Sequence, residues 1–239
     1  MAKPMLYSIM LGAALAVVAF TSGCNRSSDP QEELTWAIEK EQAGDLRAAY
    51  LHAKAALQVA PEDAEGRWVL GRLEAKGGFG ASAEKNLLRA LSLGAKPVDA
   101  VEWVARALLL QEEYERVVAG EPADLVAKSL SLPEPSASTR AIELALIGHA
   151  HANLGTIEAA VAKYREALAL APENGEALYG LGAAAAHAQR DDEARDWLER
   201  ATKAEPELAN AWTALGDFEV RQKHFEAAAE VNITVDRLK

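Results

Sequence analysis

Apolar residues recur along this chain every three or four positions, and nowhere do they alternate with polar ones at the period of two that marks strands. Helices are predicted throughout. Small residues set a longer beat: Gly148, Gly182 and Gly216 stand 34 apart, as do Ala160, Ala194 and Ala228, Ala167 and Ala201, and Pro172 and Pro206. Upstream the same interval separates Ala49 from Ala83 and Ala56 from Ala90, and Pro61 closes a first unit as Pro172 closes a later one. Two antiparallel helices approach closely only where small side chains face each other, and proline, which has no N–H, stops the second helix of each pair. The beat therefore predicts helix pairs starting near Pro30, Ala64, Val98, Ala141, Gly175 and Ala209.

The large-then-small pairs Ile147-Gly148, Leu181-Gly182 and Leu215-Gly216, followed by alanines and a closing proline, resemble the tetratricopeptide repeat (TPR). The resemblance implies an all-α fold, a right-handed superhelical solenoid of about six helix-turn-helix repeats, each burying its apolar face against its neighbours. The third repeat is degenerate. Val117 stands where alanine is usual, the second helix is expected to stop near Gly120, and Pro133 and Pro135 exclude continuous helix in "SLSLPEPSAS". The predicted organisation is a leader over 1–23, a polar tether over 24–32, an N-terminal TPR triplet over 33–132, a Pro/Ser-rich joint over 133–140 and a C-terminal triplet over 141–239. In this register a leucine at Gly182 would overpack two touching helices by ~1–3 kcal/mol. Glu176, taken as exposed, would tolerate alanine within ~0.5 kcal/mol.

Before the repeats, Lys3 precedes a 15-residue apolar run, Leu6 to Phe20, and the small residues Thr21, Ser22 and Gly23 lead into Cys24, the single cysteine of the 239 residues. The run is shorter than the ~20 residues that span a bilayer, so a secretory signal peptide is expected rather than an anchor. Small residues followed by cysteine resemble a bacterial lipobox, in which the cysteine is acylated and becomes the new N-terminus. Cys24 is accordingly expected to be the lipid attachment point, and several acyl chains make such anchoring stable. Asn25, rather than Asp, favours the outer membrane, facing the periplasm.

Charge changes the picture of partners. The chain carries a formal charge of −11, or −12 without residues 1–23, whose only charge is Lys3. An acidic body argues against nucleic acid and against lying on anionic lipid. The membrane is to be reached through lipid on Cys24 alone.

The order of the lipobox-like leader, "GDLRAAYLHAKAALQVAPEDAEGRWVLGRL", "ASAEKNLLRALSLGA", the short third repeat "ARALLLQEEYERVV", the gap and then "NAWTALGDFEVRQKHFEAA" is similar to the N-terminal part of the PEP-CTERM system TPR-repeat lipoproteins, or PrsT family. That resemblance implies a membrane-anchored scaffold for other envelope proteins, accessory to exopolysaccharide and exosortase-associated export. A TPR lipoprotein of another envelope machine, such as a pilotin-like factor of the type IV pilus, is the alternative.

TPR groove positions fall, in this register, on Trp68, Arg72, Lys76, Glu102 and Arg106 of the N-terminal triplet and on His149, Asn153, Tyr179, His187, Thr213, Asp217 and Arg221 of the C-terminal one. Arg72, Lys76 and Arg106 beside Trp68 suggest a basic groove for an extended acidic or C-terminal peptide, with Trp68 as apolar anchor. The alternative is that these cations pair with nearby glutamates. Leu34, Ile38, Ala145 and His149 occupy the places where a carboxylate clamp would need Lys and Asn. Trp36, Trp103, Trp197 and Trp212 fit packing positions.

Catalysis finds no support in the motifs. His149 and His151 are two apart, on different helix faces, rather than at the i, i+4 spacing of a zinc pair, and His52, His187 and His224 lack Glu-x-x-His or serine-elbow context. No cofactor, metal or small-molecule substrate is expected.

Overall fold

The computed structural model describes residues 29–127 and 135–238, so Cys24 and the predicted leader lie outside the described residues. Among these there are thirteen helices and no strand. The first two repeats are α1 (Pro30–Gln42) with α2 (Leu46–Val59) and α3 (Ala64–Lys76) with α4 (Gly80–Ser92). The third holds α5 (Ala100–Leu109), α6 (Tyr114–Val118) and α7 (Glu121–Ala127). Three regular pairs follow: α8 (Ala137–Asn153) with α9 (Ile157–Leu170), α10 (Gly175–His187) with α11 (Asp191–Ala204), and α12 (Ala209–Arg221) with α13 (Phe225–Leu238). The fold is the all-α helical-repeat solenoid that the 34-residue beat predicts.

Local chemistry starts and turns each pair. Asp63 Oδ2 and Asn174 Oδ1 accept the backbone N–H of Gly66 and Ala177, each at 2.9 Å, so α3 and α10 begin with a donor satisfied that the helix itself cannot pair. Between paired helices the chain passes through one left-handed residue: Gly44, Gly78 and Gly155 in three repeats, Glu112, Gln189 and Lys223 in the others. These six also keep the 34-residue interval, apart from the step from 112 to 155, which is nine longer. Glycine takes this conformation without the Cβ clash, ~1–2 kcal/mol, that the other three bear.

Close packing fixes the helices side by side. Ala49, Ala83, Ala160 and Ala194, from the second helices of four repeats, have no exposed surface. A Cβ on Gly182 would stand 2.7 Å from Leu198 Cγ, which is the α10–α11 contact expected of that glycine.

Two features depart from the sequence-based expectation. The second helix of the third repeat, α6, does stop at Val118, near Gly120, but the repeat does not end with it. It breaks there, at a left-handed φ of 82°, and resumes as α7, whose Pro122 sits in the first turn where a missing N–H is harmless. The joint is also shorter than 133–140, because Ser136 Oγ caps α8 by accepting the Thr139 N–H at 3.0 Å, and the helix begins at Ala137. Nor does the core break at the joint. Val104 and Leu108 of α5, Val117 of α6, Val126 of α7 and Leu146 and Ala150 of α8 share one buried cluster, so the two halves are joined through apolar contacts.

Candidate functional site

The first helices of successive repeats line a trough. Its larger hollow, about 600 Å³, is bounded by Lys76 of α3, Glu102, Trp103 and Arg106 of α5, His149 and Asn153 of α8, Glu176 and Tyr179 of α10, and Glu205 and Glu207 ahead of α12. A second hollow of about 470 Å³ shares Arg106, Glu176 and Glu205 with the first and continues past Glu173 and Asn174. Leu109, Leu146 and Leu208 supply the apolar part of the wall.

One hydrogen-bonded chain crosses this trough. Arg106 Nε donates to Glu102 Oε1 and its Nη1 to Glu176 Oε1, both at 3.0 Å. Glu176 Oε2 is 3.0 Å from His149 Nε2, and His149 Nδ1 is 2.9 Å from the Tyr164 hydroxyl. Burial alone would raise the Glu176 pKa, but the hydrogen bond and charge of His149 and the charge and hydrogen bond of Arg106 overcome it and hold the carboxyl at about 2. An ionised carboxylate only accepts, so His149 Nε2 carries the proton. Burial raises the Tyr164 pKa, so the phenol stays protonated; its oxygen accepts from Nδ1 when His149 is charged, and its hydroxyl donates to Nδ1 when the ring is neutral. The Arg106 guanidinium is stabilised in its charged form: burial opposes this, but Glu176 and Glu102 outweigh it. Glu102 is shifted the other way, raised by burial that Arg106 offsets only in part.

This chain of contacts ties α5 to α8, α9 and α10. Among the described residues, those lining the larger hollow include no serine, threonine or cysteine, and its lysine, Lys76, is ion-paired. No group of three or more His, Cys, Asp or Glu side chains able to hold a metal ion is found among them either.

The expected groove residues are distributed unevenly. Lys76, Glu102, Arg106, His149, Asn153 and Tyr179 line the trough. Trp68 does not stand free as an anchor. It is 8% exposed, a member of the cluster to which α5 also contributes, because the first helix of the next repeat packs over it. The aromatic of the patch is instead Trp103, expected as a packing residue, with Arg106 5.7 Å, Lys76 5.8 Å and Arg72 6.0 Å from its ring centre. His187, Asp217 and Arg221 are exposed on α10 and α12 and line neither hollow.

The basic patch is internally neutralised. Arg72 and Lys76 both reach Glu41, at 2.7 and 2.8 Å, and Arg106 is shared by Glu102 and Glu176. An acidic partner would have to displace these carboxylates, so the basic groove gives way to the pairing alternative. Glu176, expected as exposed, is 5% exposed and central to the site. Its place was available in the register, since it stands three residues before the groove residue Tyr179 and so on the same helix face. Its charge suggested a solvated side chain instead. Glu205 and Glu207 carry no such signal, because they belong to the connection between repeats.

Residues 146–209 match the family model described as tetratricopeptide repeat. A comparison with curated protein sequences gave no match. Among solved structures, a thermophilic TPR protein of Thermus thermophilus is similar with a TM-score of 0.60 and 19% identity, over 80% of this chain and 99% of that one. PilF of Pseudomonas aeruginosa is similar with a TM-score of 0.55 and 14% identity, over 87% of this chain and 91% of that one. PilW, described as a widely conserved type IV pilus biogenesis factor, is similar with a TM-score of 0.56 and 17% identity, over 87% and 92% of the two chains. At such identities the likeness is one of fold. The repeat match over residues 146–209 and the shared architecture of these neighbours show that the chain folds as a TPR-type helical-repeat solenoid.

Proposed function

We propose that this protein is a lipid-anchored scaffold of a bacterial cell envelope, held in the outer membrane through Cys24 and facing the periplasm, whose trough receives an extended segment of another envelope protein. The observation that carries the proposal is the trough itself, two hollows sharing Arg106, Glu176 and Glu205 along one face of the first helices. An open, elongated channel with mixed apolar and charged walls suits a chain laid along it better than a compact ligand. The resemblance to the PrsT lipoproteins favours a role accessory to exopolysaccharide and PEP-CTERM-associated export. A second reading, pilus assembly, is favoured by the likeness in fold to PilF and PilW over nearly the whole of those chains.

A photo-crosslinking residue placed at Asn153, exposed in the trough, is expected to give discrete adducts with an envelope protein in cells. The same residue at Leu51, exposed on the second helix of the first repeat, is expected to give none. Equal yields from both positions would remove the trough from the interaction. The anchor is tested separately: a palmitate analogue should label the wild type and not Cys24→Ser, and the variant should leave the membrane fraction. Wild-type protein that stays unlabelled contradicts the lipid attachment.

A further inference from the structure

We infer that a hollow beside the broken second helix of the third repeat binds a compact, uncharged molecule with an apolar body and one hydroxyl, an alcohol or a phenol, whose hydroxyl donates to Glu143. This hollow shares no lining residue with the two hollows of the trough, so the inference stands apart from the scaffold reading above.

The break in the helix opens the space. In the other repeats the second helix runs on for 13 or 14 residues. Here α6 lies against α8, but past the left-handed Gly120 the chain turns and α7 lies against α4 and α5 instead. A hollow of about 350 Å³ is left, to which α5, α6 and α7 contribute Ala105, Val117 and Ala123, and α8 and α9 contribute Leu144, Ile147 and Leu170. Leu170 is 44% exposed, so apolar surface is open to solvent here. A dry apolar cavity of ~150 Å³ holds benzene, and small-molecule sites begin near ~300 Å³. The size of this hollow suits a molecule of about two fused rings.

The charged residues of the lining are Arg140 and Glu143. Glu143 is 6% exposed, yet its carboxyl is poorly supplied with donors: Arg140 Nη1 stands 3.4 Å from Oε2, at the long limit of a hydrogen bond, and Oε1 accepts from no described residue. Burial raises the Glu143 pKa, Arg140 offsets this in part, and the charge of Glu102 adds to it. A buried acceptor without a donor is costly, and a ligand hydroxyl on Oε1 removes that cost. The exposed Arg140 already balances the charge of the pair. A neutral donor therefore completes the site, whereas an anion would meet Glu143 in apolar surroundings and an ammonium would add a second cation beside Arg140.

The test measures dissociation constants by equilibrium dialysis of the protein against 2-naphthol, naphthalene and 2-naphthoate, which share one ring system. 2-Naphthol should bind ~10-fold more tightly than naphthalene, and 2-naphthoate more weakly than both. Glu143→Leu should weaken 2-naphthol ~10-fold and change naphthalene less than ~2-fold, because the apolar walls remain and Arg140 stays solvated. Ala123→Trp fills the hollow from an exposed position of α7 and should abolish binding of both, with thermal unfolding unchanged. Equal affinity for 2-naphthol and naphthalene would mean that apolar contact alone governs the hollow, as a leucine or phenylalanine of a protein partner would use it. Failure of both to bind the wild type would mean that the chain itself fills the space, and 2-naphthol bound equally by Ala123→Trp would place it elsewhere. Each of these outcomes overturns the inference. Cross-linking from Asn153 should be the same in Ala123→Trp as in the wild type, so the trough and this hollow are tested separately.

Discussion

Gly180→Ala is expected to destabilise the protein by about 2–3 kcal/mol, although alanine is the better helix former by ~1 kcal/mol. The reason is the ring of Tyr164, which is 1% exposed and wedged between α8 and α10. A Cβ on Gly180 would stand 2.3 Å from Tyr164 Cζ, and one on Gly148 2.4 Å from Cε1. A buried ring touched from both sides has no direction in which to retreat: moving from Gly180 drives it into Gly148. Displacing it also pulls the hydroxyl off His149 Nδ1 and so disturbs the chain leading to Glu176. Thermal unfolding monitored by circular dichroism should show a Tm lower by about 5–10 °C. Because the clash is with one side chain, Tyr164→Leu should make the second substitution less costly. The double variant should lose clearly less than the two single losses added together. If Gly180→Ala melts at or above the wild-type temperature, the ring is not held as described.

The second large effect is expected at Glu176. Glu176→Ala should cost about 2–4 kcal/mol, because it leaves the buried Arg106 guanidinium with Glu102 alone and His149 Nε2 without its acceptor. A surface glutamate would lose less than ~0.5 kcal/mol, so the two placements of this residue give different results. The acid dependence follows from the same contacts. The Glu176 pKa falls from 4.5 to about 2 on folding, so its contribution is present in full above pH ~4.5 and disappears as pH drops through about 2. A difference of that size is worth on the order of 3 kcal/mol. Glu102, Glu143 and Glu205 oppose it: their pKa values are raised by burial, so ionising them weakens the fold and protonating them in acid relieves it. Denaturant titrations of wild type and Glu176→Gln should therefore differ most near neutral pH and converge between pH ~4.5 and ~2. A gap that stays constant across that range would show that the Glu176 carboxylate does not carry the interaction.

Both predictions concern residues that the linear pattern placed unequally well. Glycine and alanine at 34-residue intervals located the helix contacts, because close approach demands small side chains and that demand is written directly in residue type. Gly182 against Leu198 is one such contact. Gly148 and Gly180 were legible as small residues but not as the two walls around Tyr164, since Gly180 lies outside the repeating set and its partner comes from a different repeat. The third repeat reads as degenerate in sequence and is so in structure. That α7 would form after Gly120 and that α5, α7 and α8 would share a cluster depended on long-range packing.

The groove register put Lys76, Glu102, Arg106, His149, Asn153 and Tyr179 on one face, because helical periodicity alone sets which positions point the same way. It could not say which of them would be neutralised. Charge in a folded protein is decided by what lies within a few ångströms, and Glu41 and Glu176 arrive from helices 31 and 70 residues away from Arg72 and Arg106 respectively. The sequence by itself determined the helical class, the repeat length and the small-residue contacts, all of which follow from local spacing. Only the tertiary structure decided that Trp68 is buried while Trp103 meets the cations, and that Glu176 is a buried hub. Each of these depends on which repeat covers which, a relation that exists only once the chain is stacked.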